Sequence, residues 1–314
     1  MYWPGPSLRL AFLCLLLGCG LPLWVHAAPL QVLIVSAERN AAFTEAAEVF
    51  TTELERGGVA RSSVQYLTLA QARSTGAKPD QVVLALGVEA ATEMARTETR
   101  VPVLGAFVPS ASFEAIVRNN QRRAASAFSV IYLNQPLGRQ LDLIQLALPQ
   151  RPRIGVLLGT VSSEHLPVLE EERRKRSMSV LQSQVDANEP MFAKLQTLLE
   201  GSQVLLALPD PQVYNSGSLQ NILLSALRAN VPMVSFSPAY VKAGALMAIY
   251  TTPAQVGQQA AQLIRPVLQG KDLAPPQYPR EFWIEVNGSL ARSMNLDLDA
   301  HTLTERLKRL EQKK

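Results

Sequence analysis

The sequence predicts an α/β protein of two doubly wound parallel-sheet lobes joined by a multi-strand hinge. Three observations lead there. Apolar runs of strand length alternate with helix-period segments along nearly the whole chain, and strict strand–helix alternation is the mark of a parallel sheet covered by helices. The runs are continuous rather than alternating, as in Val-Leu-Ile-Val at 32–35 and Val-Val-Leu-Ala-Leu at 82–86, which is what strands buried on both faces require. The alternation also restarts near residue 150, and 314 residues are too many for one ordinary domain and suit two.

Taken in order, strands are expected at 31–36, 64–67, 81–87, 101–108 and 125–132. Helices at 41–56, 89–96 and 112–118 lie between them, the first stopped by Gly57-Gly58. Residues 134–148 read as a long helix. Strands then recur at 153–159, 178–184, 203–208, 232–237 and 245–250, and a helix at 254–269 closes the second set. The stretch Ala274-Pro275-Pro276-Gln277-Tyr278-Pro279 reads as an extended connector. A strand at 281–286, a helix at 289–294 and a charged helix at 302–314 follow. The late strand has no neighbours of its own in sequence, so its economical placement is back in the first lobe. That gives a first lobe of residues 28–133 plus 274–314 and a second of 134–273, crossover helix included.

Residues 1–27 stand apart. Arg9 precedes the apolar run 10–25, which ends in Val25-His26-Ala27-Ala28. A positive charge, an apolar stretch and small residues in that order read as a cleaved export signal. Gly18, Gly20 and Pro22 suit a signal better than a spanning helix. Leu16-Leu17-Gly18-Cys19 offers a lipoprotein cleavage box as the alternative. Both cysteines, Cys14 and Cys19, fall in this segment. Cleavage near Ala28 would leave an exported, periplasmic chain without disulfide, thiolate nucleophile or cysteine metal site. The formal net charge of +4 is small and unfocused, which gives no case for a nucleic-acid partner.

The informative recurrence lies at the strand ends. Leu208-Pro209-Asp210-Pro211, Phe236-Ser237-Pro238, Tyr250-Thr251-Thr252-Pro253 and Phe107-Val108-Pro109-Ser110 mostly set an Asp, Ser or Thr beside a proline where a helix should open. Such residues cap helix N-termini, with proline near the first turn. In open parallel sheets a ligand sits beyond the carboxyl ends of the strands, so several helix N-termini would point free N–H groups at one cleft. Tyr132, Tyr214, Tyr240 and Tyr250 fall near the same ends and can serve as core or as ligand wall. His165 and His301 have no ligand-like neighbours, and there is no phosphate-cradling loop and no nucleophile elbow. No enzyme, metal or cofactor is therefore expected. The run Glu170-Glu171-Glu172-Arg173-Arg174-Lys175-Arg176 pairs acid with base at i,i+4 and reads as a solvated helix face.

Several segments resemble one known family. They are Leu205-Leu206-Ala207-Leu208-Pro209-Asp210-Pro211 with Tyr214-Asn215, Leu219-Gln220-Asn221-Ile222, Phe236-Ser237-Pro238-Ala239-Tyr240-Val241-Lys242-Ala243-Gly244, Gln135-Pro136-Leu137 and Gln277-Tyr278-Pro279-Arg280. Together they are similar to the substrate-binding proteins of ABC transporters, in the tryptophan/tyrosine-type group. The resemblance implies the periplasmic-binding-protein type I fold, with a small-molecule ligand between the lobes and a membrane permease as partner. Amino-acid-binding members carry a hydroxyl-bearing turn where this chain has Gly87-Val88-Glu89, so that ligand class is not carried over. By the logic of the fold, the candidate ligand-binding positions are Ser36, Gly87, Val88, Glu89, Val108, Ser110, Tyr132, Ser162, Asp210, Tyr214, Ser237 and Tyr250. The expected function is capture of a small polar solute by a monomer for an ABC importer. The alternative is a ligand-sensing or accessory module that presents its ligand state to a membrane partner.

Overall fold

Two separate sheets organise the chain. The computed structural model describes residues 31–76, 78–96, 101–120, 127–150, 152–186 and 190–312. The expected export segment, with Cys14 and Cys19, lies outside them. The first sheet holds β1 (Gln31–Ser36), β2 (Val64–Thr68), β3 (Gln81–Leu86), β4 (Val103–Val108) and β5 (Phe128–Tyr132) in the order β2-β1-β3-β4-β5, all parallel. The helices of this half are α1 (Ala41–Arg56), α2 (Leu69–Thr75), α3 (Val88–Arg96) and α4 (Ser110–Asn119). All six residues of β3 are buried, because helices cover both faces. Val32, Ile34, Leu84 and Leu104 meet Phe50 and Leu54 of α1 on one side. Leu33, Val35, Val83 and Val103 meet Met94 of α3 and Phe113 of α4 on the other.

After α5 (Leu137–Ala147) the second sheet begins. It comprises β6 (Ile154–Leu158), β7 (Val180–Gln184), β8 (Val204–Leu206), β9 (Met233–Ser235), β10 (Met247–Tyr250) and β11 (Trp283–Val286) in the order β11-β10-β9-β8-β6-β7. Its connecting helices are α6 (Leu166–Lys175), α7 (Met191–Gly201), α8 (Leu219–Arg228) and α9 (Pro238–Ala243). The chain then continues through α10 (Pro253–Leu268) before β11, and ends in α11 (Gly288–Ser293) and α12 (Ala300–Glu311). The expectation of two α/β lobes holds.

Two placements differ from the sequence reading. The late strand does not return to the first sheet. β11 pairs antiparallel with β10, Tyr250 opposite Trp283 and Met247 opposite Val286, and it buries Phe282 and Ile284 in the second core. Helix α10, expected to close the second set, instead lies along α1 of the first lobe, its Ala260 and Ile264 in that core. Gly257 permits the close approach, since a Cβ there would collide with the Ala46 carbonyl. The connector does touch the first lobe: Gln277 accepts from Tyr132 N and donates to Val130 O, extending the sheet beside β5.

The chain thus crosses between lobes after β5, after β10 and through residues 270–282. Arg139 of α5 ties these crossings together. It is 9 % exposed, and its guanidinium donates to Glu311 of α12 at 2.5 and 3.1 Å, to Gln135 Oε1 at 2.7 Å and to Pro279 O at 2.9 Å. It also lies 4.7 Å over the Phe282 ring. Gln135 in turn donates to Thr251 Oγ1 at 2.6 Å, and Gln259 of α10 donates to Gln277 Oε1 and Tyr278 O while accepting from Arg280 N. The charged run of α6 is also more than a solvated face. Glu171 and Lys175 pair at the surface as expected, but Arg176 turns inward to Asp142 of α5 at 2.7 and 2.9 Å.

Removal of the Arg139 guanidinium strands several buried acceptors, although Glu311 retains some access to water. Arg139→Ala is expected to lower unfolding stability by about 3 kcal/mol, read as a fall in the urea midpoint at unchanged slope. A loss below about 0.5 kcal/mol would contradict the hinge assignment.

Candidate functional site

Loops that follow parallel strands of the two sheets make contact between the lobes, across a candidate cleft. At its back, the residues that follow β5 and β10 meet through the Gln135–Thr251 hydrogen bond. At its front, α4 of the first lobe touches the 3-10 turn Ser162–His165 that follows β6, and Arg118 Nη2 donates to Glu164 Oε1 across the gap at 2.9 Å. His165 lies beside this contact. Burial holds its pKa below the ordinary histidine value, against the opposing pull of Glu114, Glu164 and Asp210.

The first lobe places its candidates unequally. Ser36 is buried, and its Oγ donates to Glu38 O at 2.7 Å and shares a hydrogen bond with the Tyr66 hydroxyl, so it serves its own turn. Gly87 has φ +89°, a conformation that favours glycine, and a Cβ there would press on the Phe43 ring at 3.1 Å. Val88, 38 % exposed, and the exposed Glu89 open α3. Val108 is fully buried in the core. Ser110 is buried at the start of α4, its N–H donating to Asn134 Oδ1 at 2.8 Å. The Tyr132 ring packs against Phe113 and, at 4.9 Å, against Tyr278. Burial, with Glu114 and Tyr278 nearby, pushes its hydroxyl up to about 12.

In the second lobe Asp210 is the organising residue. Its Oδ2 accepts from Ser162 N at 2.7 Å and Ser162 Oγ at 2.8 Å, and its Oδ1 accepts from Gln212 N at 2.9 Å. Gly159 makes the room, because a Cβ there would lie 2.6 Å from Asp210 Oδ1. The expected helix cap is therefore corrected: residues 211–218 form turns, α8 begins only at Leu219, and Asp210 clasps the loop after β6 to the loop after β8. Tyr214 is 5 % exposed and stacks with Phe236 and Tyr240 in the core. Its hydroxyl has no partner among the described residues, and burial drives its pKa far above the ordinary tyrosine value. Ser237 caps α9, accepting from Ala239 N. Tyr250 donates to Glu285 Oε2 at 3.3 Å, and burial followed by that carboxylate pushes it up to about 12.

The strand-end candidates divide by burial. Ser36, Val108, Ser110, Ser162, Asp210 and Tyr214 are buried, whereas Gly87, Val88, Glu89, Tyr132, Ser237 and Tyr250 keep some surface toward solvent. The sequence reading missed Phe107, which takes φ +59° at a bulge in β4 and packs on Phe43 at 5.2 Å. An aromatic residue in the left-handed region is strained, and no residue pattern announces it. It also missed Asn134 and Tyr278, which become neighbours of Ser110 only when the first and third crossings come together.

The scaffold role of Asp210 makes a direct prediction. Three donors lose their acceptor in Asp210→Ala, so unfolding stability should fall by about 2–4 kcal/mol in a calorimetric or urea measurement. A change below about 0.5 kcal/mol would return Asp210 to the list of side chains free for ligand.

Among the described residues no helix is long and apolar enough to cross a membrane, and no three His, Cys, Asp or Glu side chains gather as a metal site. No curated protein sequence matches the chain. Solved structures that share its fold include the following three. A conserved domain protein from Vibrio cholerae, 17% identical, superposes with a TM-score of 0.62 over 88% of this chain and 97% of its own. An ABC domain from Streptococcus pneumonia, solved in complex with L-Trp, is 14% identical with a TM-score of 0.60 over 87% and 98%. The substrate binding protein CD0873 from Clostridium difficile, solved ligand-free and open, is 16% identical with a TM-score of 0.68 over 86% and 96%. The fold is that of type I periplasmic binding proteins. The model of the ABC transporter substrate binding protein family matches residues 60–300, and the chain belongs to that family.

Proposed function

We propose that this protein is an exported receptor that captures a small polar solute between its lobes and delivers it to the membrane permease of an ABC importer. The observation that carries this reading is the geometry of the cleft. Two sets of strand ends face each other, joined at the back by a stitched hinge and at the front by the Arg118–Glu164 pair. That front pair is exposed on both sides, and exposed ion pairs are weak and screened by salt. The closed arrangement consequently takes its stability from whatever bridges the lobes, and a ligand shifts the open–closed equilibrium only by its difference in affinity for the two. Glu89, exposed in the first turn of α3, is the carboxylate best placed to meet a donor group of the solute.

A solute that bridges both lobes binds the folded state alone. At a hundredfold excess over its dissociation constant it should add about 2.7 kcal/mol of stability, read as a thermal shift in a screen of amino acids, small organic acids and bases. For the solute so found, Glu89→Gln should weaken binding about tenfold, while the unliganded protein loses no more than about 1 kcal/mol from the helix terminus. No hit from a broad library on folded protein would overturn the receptor reading.

A further inference from the structure

His165 stands in the seam where the two lobes touch. It ends the 3-10 turn Ser162–His165 of the second lobe and occupies the N-cap of α6. Helix α4 of the first lobe lies against this turn, and Arg118 reaches across beside it to Glu164 at 2.9 Å. The imidazole is half-buried and has no hydrogen-bond partner among the described residues. His301, by contrast, is exposed on α12.

Charges from both lobes face the imidazole. Glu114 and Arg118 belong to α4, Glu164 precedes it in its own turn, and Asp210 follows β8. They part company when the lobes separate. Glu164 and Asp210 travel with His165, and Asp210 is already engaged by Ser162 and Gln212. Glu114 comes from the opposite lobe, but it is exposed and lies 3.9 Å from Arg118, so its attraction for a cation is screened. Closure brings two further things with α4. One is cover from water, and the other is a guanidinium that engages Glu164, the carboxylate next to His165 in sequence. Both disfavour a charged imidazole. The positive end of α6 works in the same direction whether the lobes are open or closed. In the closed arrangement burial dominates and holds the His165 pKa below the ordinary histidine value, against Glu114, Glu164 and Asp210.

We propose that His165 makes closure of the lobes proton-sensitive: the seam admits the neutral imidazole and is opened by the imidazolium. The direction follows from linkage. The closed form binds the proton less readily than the open form. Closure is therefore favoured above the range in which an exposed histidine titrates, about pH 6.5, and is lost as the pH falls through it. A solute held at neutral pH would be released on acidification. That consequence rests on the receptor reading, whereas the proton-linked closure needs no solute.

The test counts closed molecules with the proton as the only ligand varied. Both cysteines of the chain lie in the export segment, so Glu45→Cys on α1 and Ser216→Cys in the loop after β8, both exposed, carry a donor and an acceptor dye, one on each lobe. Single-molecule energy transfer then separates closed from open molecules. Between about pH 7.5 and about pH 5.5, above the ordinary carboxylate range, the closed-to-open ratio should fall about three- to tenfold. His165→Phe keeps a neutral ring and should hold the ratio constant across the window. His165→Lys carries a fixed charge and should show, at the upper end of the window, the ratio that the parent reaches at the lower end. The proposal fails if the parent ratio ignores pH, if His165→Phe responds as the parent does, if His165→Lys closes as the parent does at neutral pH, or if no closed molecules are found at either end. If closure follows pH through His165 while no solute stabilises the protein, the switch stands and the receptor reading falls. If a solute stabilises the protein while the ratio ignores pH, the receptor stands and the switch falls.

Discussion

The buried guanidinium of Arg139 holds together what would otherwise be three independent strands of hinge. It reaches Gln135 on the first crossing, Pro279 on the third and Glu311 near the end of α12, while Gln135 carries the connection on to Thr251 of the second. Each bond is ordinary in strength; the consequence lies in their arrangement. The three crossings are thereby tied, directly or through Gln135, to one charged centre. A buried charge of this kind is worth more as a specifier of geometry than as a net source of stability.

From that constraint follows the division of labour among the polar groups of the cleft. Those that set loop shape are internal and fully engaged: Asp210 with Ser162 and Gln212, and Ser36 with Tyr66 and Glu38. A group already holding its hydrogen bonds has little left to give a ligand, and to free it would cost about as much as it returned. Glu89, by contrast, is exposed in the first turn of α3.

Much of this was legible in the residues. Continuous apolar runs such as 82–86 announced strands buried on both faces, the glycine pair at 57–58 stopped α1, and the resemblance named the fold. Partners distant in sequence were hidden. Trp283–Val286 reads as a strand with no neighbour, and its antiparallel place beside β10 follows only because α10 first returns to lie on α1. Asp210 before a proline has the look of a helix cap, and its actual partner, Ser162, is 48 residues away. Arg176 closes what looks like a surface charge run, yet it faces Asp142 on another helix. Phe107 carries its strain in a backbone angle, which leaves no trace in composition.

The central claim is that a small molecule bound at the strand ends draws the two lobes together about this hinge. Small-angle scattering measures it most directly. Protein stripped of bound solute by unfolding and refolding should have a larger radius of gyration than the same protein after return of a solute that stabilises it, and the contraction should saturate with occupancy. Saturable binding of that solute with an unchanged radius of gyration would contradict the account.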